Sequence, residues 1–193
     1  MRFVIGFIPG KDDWIDIDTH HYLSLKVLLR EWGLESLYTE DEAKDLSKDW
    51  HFLDPWEDTS AGLYRLGTKF VTSTLSNGNR SLLEDLSKHG QLCFHQLQSS
   101  ADFKAYKPHR SVYLGGVEVL GLNPGEVAMV AAHLGDLEAA KVAGLRTIYV
   151  ERKAEEDWKK DEDRYINAKN WIDMWVTEEE GSFLEVARRF GIK

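Results

Sequence analysis

The chain has 193 residues and a net charge of −9, from 24 Lys and Arg against 33 Asp and Glu. Hydrophobic residues make up 42% and charged residues 30%, an ordinary soluble balance with room for one packed domain and a small lid. So acidic a chain lacks the clustered cations that phosphate backbones require, which excludes nucleic acid as a partner; an anionic small molecule stays open, because one local Lys can reverse the field inside a pocket.

In chain order, residues 1–10 (MRFVIGFIPG) are apolar and β-competent until Pro9-Gly10 breaks the run. The run is too short to span a bilayer and lacks the long apolar core and small-residue cleavage site of a secretory signal. Cys93 is the single cysteine, which excludes an internal disulfide and a CxxC metal pair. A cytoplasmic protein without membrane contact is the expectation.

Residues 14–66 read as helical. Tyr22, Leu23, Leu25, Val27, Leu28, Leu29 and Trp32 recur at helical spacing, and Gly33 offers a stop. Thr39, followed by Glu40, Asp41 and Glu42, reads as a capping box opening a second helix through Trp50. A turn-rich connector over 51–59 carries Asp54-Pro55-Trp56, and a short helix over 61–66 follows. Trp14, Trp32, Trp50 and Trp56 read as the core of this unit. His20 and His21 with Asp16 and Asp18 are metal-ligand types, but adjacent histidines point to different helix faces, so no metal is expected. Arg30 reads as one half of a surface pair with Glu31 or a neighbour.

From residue 69 onward, short β-rich runs alternate with helical ones. The runs cover 70–75, 92–97, 127–132 and 147–150, with a weaker one at 171–176; helical patterns fill 80–89, 111–120, 136–143 and 183–190. This alternation predicts an α/β fold of right-handed βαβ units, with a parallel sheet covered by helices on both faces. The acidic stretch 155–163 reads as solvated surface. Ligands of such sheets bind at the carboxyl ends of the strands.

Ser76, Asn77 and Gly78 follow the first run; Ser99, Ser100 and, on the next loop, Lys107-Pro108 follow the second; His133, Gly135 and Asp136 follow the third. Ser76 and Asn77 can hydrogen-bond an anion, Lys107 can neutralise it, and Asp136 can orient Lys107. Gly78 and Asn79, opening a helix, can add backbone N–H donors. Asp136 also suits an N-cap. A Ser76–His133–Asp136 triad lacks the GxSxG elbow such nucleophiles use.

These residues carry a resemblance. Leu75-Ser76-Asn77-Gly78 resembles the second motif of haloacid dehalogenase-like hydrolases, and Tyr106-Lys107-Pro108 with Tyr113, six residues after the lysine, resembles the third. Residues 129–141 (MVAAHLGDLEAAK) and 143–147 (AGLRT) resemble the fourth. Residues 50–56 (WHFLDPW) are similar to the cap-to-core return of the 2-haloacid dehalogenase branch, and residues 18–33 to a cap helix of its fungal members. The resemblance implies a Rossmannoid parallel sheet with a partial helical cap: residues 1–10 a divergent segment, 11–66 the cap and its return, 67–193 the core. It also implies Lys107 and Asp136 as catalytic residues, Ser76, Asn77, Gly78 and Tyr113 as substrate contacts, no cofactor, and a possible homodimer; His133, from its place at a strand end, is the further catalytic candidate.

The family's chain begins with a strand ending in a nucleophilic aspartate, and here MRFVIGFIPG stands in its place. Asp16 and Asp18 imitate a family motif, but Lys11, Asp12, Asp13 and Trp14 before them make no buried strand. Without a nucleophile near the reacting carbon, covalent hydrolysis fails. Ala131 and His133 also replace the serine and asparagine frequent in the dehalogenase branch. Residues 2–8 (RFVIGFI) are expected to fill the vacant central strand; the competing account is a leader left by truncation, with the fold closed by dimerisation. The expectation is a protein that binds a small, anionic molecule without hydrolysing haloacids. The alternatives are a non-hydrolytic isomerase, lyase or cyclase using Lys107, His133 and Asp136, or a truncated 2-haloacid dehalogenase.

Overall fold

The computed structural model describes residues 7–193. Residues 2–6 of the expected replacement strand lie outside them. Phe7, where that segment emerges, sets its ring edge-on to Trp14 and Tyr106, with centroids 5.7 and 5.0 Å away.

The heart of the fold is a three-stranded parallel sheet, β1 (Ala128–Ala131), β2 (Arg146–Val150) and β3 (Met174–Val176), in spatial order β1-β2-β3. Helix α6 (Leu134–Val142) connects β1 to β2, and α7 (Asp163–Ala168) connects β2 to β3. Alternation along the strands sends side chains to two faces. Val130, Ile148, Val150, Met174 and Val176 pack towards Leu66, Val186 and Ala187, whereas Met129, Ala131, Tyr149 and Trp175 pack towards Leu134, Leu137, Tyr165 and Ala168. The parallel sheet with helices on both faces is as expected. Gly144, at φ +97, makes the left-handed turn from α6 into β2.

Residues 70–75 and 92–97, expected as strands, depart from that expectation. Two parallel bridges join them, Ser73–Gln96 and Ser76–Ser99, without a continuous ladder. Backbone bonds such as Thr74 N–H to the Gln96 carbonyl at 3.1 Å are supplemented by a side chain: Thr74 Oγ1 donates to the Gln98 carbonyl at 3.0 Å and accepts from the Gln98 N–H at 2.8 Å. Hydroxyl groups that bond neighbouring backbone compete with regular pairing in this way. Among the described residues no ladder joins this pair to β1. Both halves nevertheless rest on one cluster, because Leu75 and Met129 pack against Tyr113, Val117, Ala140 and Leu145.

The helices around this core follow their sequence signals. Helices α4 (Arg80–His89) and α5 (Arg110–Val119) lie within a residue of their expected bounds. Helix α1 (Ile17–Glu31) is capped by Asp16, whose carboxylate accepts from the Thr19 N–H at 2.8 Å. The Thr39–Glu42 capping box opens α2 (Glu40–Leu46). That helix stops short of Trp50: Ser47 Oγ caps the Lys44 carbonyl, and a 3-10 turn over Asp49–Phe52 follows. Helix α3 (Thr59–Gly67) lies against α8 (Ser182–Arg189). The approach is so close that a Cβ on Gly62 would sit 2.5 Å from Phe183 Cβ. Among the described residues no helix is long and apolar enough to cross a membrane.

Candidate active site

Lys107, Asp136 and Tyr113 meet at the carboxyl edge of the sheet. Lys107 Nζ lies 2.8 Å from Asp136 Oδ2, with the two side chains only 16% and 19% exposed. Tyr113, fully buried, donates to Asp136 Oδ1 at 2.6 Å. Both carboxylate oxygens are thereby engaged, one by a cation and one by a phenol. Burial, reinforced by the Asp136 charge, pushes the Tyr113 hydroxyl far above its ordinary range, so it remains a donor. The Lys107 ammonium also lies 6.0 Å from the Tyr113 ring centroid.

Lys107 is positioned through its backbone. Asn77 Oδ1 accepts from the Lys107 N–H at 2.7 Å and Asn77 Nδ2 donates to the Lys107 carbonyl at 3.3 Å, a two-point grip that mimics a neighbouring strand. The Lys107–Pro108 peptide bond is cis. Ser76 turns its hydroxyl oxygen to the Gly78 N–H at 3.0 Å, and Ser99 Oγ donates to the Gly78 carbonyl at 2.6 Å. The Gly78 N–H, expected as an anion donor, is therefore already used inside the turn. A Cβ on Gly78 would meet Leu82 Cδ2 at 3.0 Å and Ser76 Oγ at 3.3 Å, so the turn requires glycine for space.

His133 stands apart from this group. It precedes α6 with its ring exposed, and Nε2 lies 3.5 Å from Glu155 Oε2. Asp136 sits in the first turn of α6 rather than at its N-cap, and its oxygens serve Lys107 and Tyr113. No Ser76–His133–Asp136 relay is formed. The first N–H of α6, on Leu134, donates to Glu156 Oε2 at 2.6 Å, so this part of the acidic stretch is structural rather than merely solvated.

The four aspartates nearest the beginning do not meet the ammonium: among the described residues, Lys107's ion pair is with Asp136. Asp12 accepts from the Ile8 N–H, Asp16 caps α1, and Asp18 accepts from Asn79 Nδ2 at 2.7 Å and contacts His51. His20 contacts the Tyr106 hydroxyl at 3.1 Å, and His21 stacks on Trp50. Arg30 pairs with Glu35 on the surface. Among the described residues no group of three or more His, Cys, Asp or Glu side chains is arranged to hold a metal ion.

A parallel α/β sheet with helices on both faces and a lysine–aspartate pair at its carboxyl edge is an arrangement of the Rossmannoid class. The chain belongs to the haloacid dehalogenase-like hydrolases, whose family model matches residues 23–150. It is 29% identical over 149 residues to (S)-2-haloacid dehalogenase 4A of Burkholderia cepacia, a match that covers 72% of this chain and 64% of that protein. It is 30% identical over 132 residues to (S)-2-haloacid dehalogenase 1 of Pseudomonas sp. (strain CBS-3), covering 67% of this chain and 57% of that protein. The chain thus spans under two thirds of the length of these curated relatives. The crystal structure of an L-2-haloacid dehalogenase superposes with a TM-score of 0.81 at 32% identity, over 94% of this chain and 76% of that one.

Proposed function

We propose that the chain binds a small carboxylate at the edge formed by Lys107, Ser76 and Asn77, and does not by itself hydrolyse carbon–halogen bonds. The observation that supports this reading is the set of partners around the Lys107 ammonium. Its ion-pair partner among the described residues is Asp136, whose two oxygens are already taken by Lys107 and Tyr113. A carboxylate so engaged is a poor nucleophile, whereas an ammonium with three donors and one carboxylate partner can accept a second anion. Haloacid binding is the ligand class favoured by the likeness to (S)-2-haloacid dehalogenases.

Calorimetric titration with 2-chloropropionate and with lactate, alongside a halide-release assay, tests the reading. Binding without halide release is expected, weakened about tenfold or more in Lys107→Ala, in line with loss of a charge-assisted contact. Halide release by the unaltered chain, or equal binding by Lys107→Ala, would overturn it.

A second reading draws support from the extent of the relatives' match: a longer polypeptide in which an acidic side chain faces Lys107 would be a working 2-haloacid hydrolase. Halide release by that longer polypeptide and its loss on replacing that acid would decide for it. The isomerase, lyase or cyclase alternative loses its proposed base, because His133 faces Glu155 at the surface.

A further inference from the structure

His51 lies in the 3-10 turn between cap and core and is 5% exposed. Its Nδ1 is 2.7 Å from Asp85 Oδ2 on core helix α4, and its Nε2 is 3.1 Å from Asp18 Oδ1 on cap helix α1. An ionised carboxylate only accepts hydrogen bonds, and a neutral imidazole carries a single N–H. With a neutral ring, one of these two contacts would set acceptor against acceptor around a buried imidazole, although Asp18 and Asp85 themselves stay 33% and 46% exposed. The arrangement needs one proton more than neutral histidine between two carboxylates provides.

We propose that Asp18, His51 and Asp85 form a proton-held clasp between cap and core, closed while both imidazole nitrogens face the carboxylates through hydrogen and open when that extra proton leaves. The clasp reaches the site turn directly: the other oxygen of Asp18 accepts from Asn79 Nδ2 at 2.7 Å, and Asn79 stands at the N-cap position of α4, one residue after Gly78. Opening it leaves Asp18 held over the Ser76–Asn79 turn by the Asn79 bond, without the tie to His51.

The titratable groups around His51 fit this assignment. From α1 they are Asp18 and His21, and from α4 Asp85; His89 on α4 turns away to Asp54 at 2.9 Å. His21 stacks on Trp50 with its Nδ1 buried and unpartnered among the described residues. Burial lowers the affinity of His21 for a proton; Asp18 opposes this, and His51 and then His20 add to it. Because the closed clasp binds more protons than the open one, it is favoured at low pH and lost as pH rises.

Histidine-labelled ¹⁵N spectra of the full chain near neutral pH test the proton count. Both His51 ring nitrogens are expected to show attached hydrogen, or one to face a carboxylic acid proton of Asp18 or Asp85; a bare ring nitrogen beside two ionised carboxylates would overturn the proposal. Hydrogen exchange in α1, corrected for intrinsic rates, is expected to rise about tenfold from about pH 6 to about pH 9. In Asp85→Asn it should already be fast at the lower pH. Exchange in α1 that ignores pH in the unaltered chain would also overturn it, and that reading needs no variant to fold.

Discussion

Along β2, every side chain from Thr147 to Val150 is buried, while on α1 only Leu29 is, and Leu23, Val27, Leu28 and Trp32 stay 45%, 47%, 45% and 72% exposed. The core is assembled by removing apolar surface from water, a force without direction that scales with area. The cap is fastened by directed ties: His51 to Asp18 and Asp85, Asn79 to Asp18, His20 to Tyr106, and the Tyr106 hydroxyl to the Ile15 carbonyl. Such ties set geometry more than they add net stability. Helix α1 is therefore the poorer of the two in buried apolar contact, and segments of that kind open at low free-energy cost.

Substitutions can break or sharpen this contrast. The largest effect is expected at Asp58→Ala, because Arg152, 9% exposed and gripped by Asp58 at 2.6 and 3.0 Å between the rings of Trp56 and Phe183, would be left as a buried unpaired charge. Removing one member of a buried pair costs about 3–5 kcal/mol, readable in urea melts. Leu137→Ala, at a fully buried position in the core, should cost about 2–5 kcal/mol by the same measurement. Gly62→Ala should cost about 1–3 kcal/mol, because the α3–α8 contact has no room for a methyl group. Burial, with Asp16 adding to it, raises the Tyr106 phenol to about 12. The folded state then holds a proton that the unfolded chain releases, so stability present below about pH 10 falls as pH climbs towards about 12, and Tyr106→Phe should flatten that decline. Smallest of all, Val27→Ala on the cap should change stability by less than about 0.5 kcal/mol. A loss like that of Leu137→Ala would mean the exposed cap face is covered, and the contrast would fail.

The same division explains what was legible in the chain. Helices α4, α5 and α6 and strands β1 and β2 carry dense apolar periodicity, and their positions follow from it. Residues 70–75 look equally strand-like, yet the Thr74 hydroxyl engages the backbone N–H and carbonyl of Gln98 where a ladder would use backbone on both sides, which no periodicity reports. Helix α7 hides among charges, with only Tyr165 and Ala168 buried. In the site, Lys107 and Asp136 were readable from their places after the apolar runs and Tyr113 from the family resemblance, and the three side chains lie together. For His133, a place at a strand end says nothing of the rotamer, which sets Nε2 3.5 Å from Glu155. The Asn77 grip on Lys107 pairs residues 30 apart, and Glu156 reaches Leu134 across 22; neither leaves a local signature.

The Leu134–Glu156 bond bears on anion binding. A helix's amino end ordinarily draws anions towards it, and here a resident carboxylate already fills that berth. Any anion drawn to Lys107 as proposed would therefore meet an ammonium already paired with Asp136, and would have no help from the first N–H of that helix.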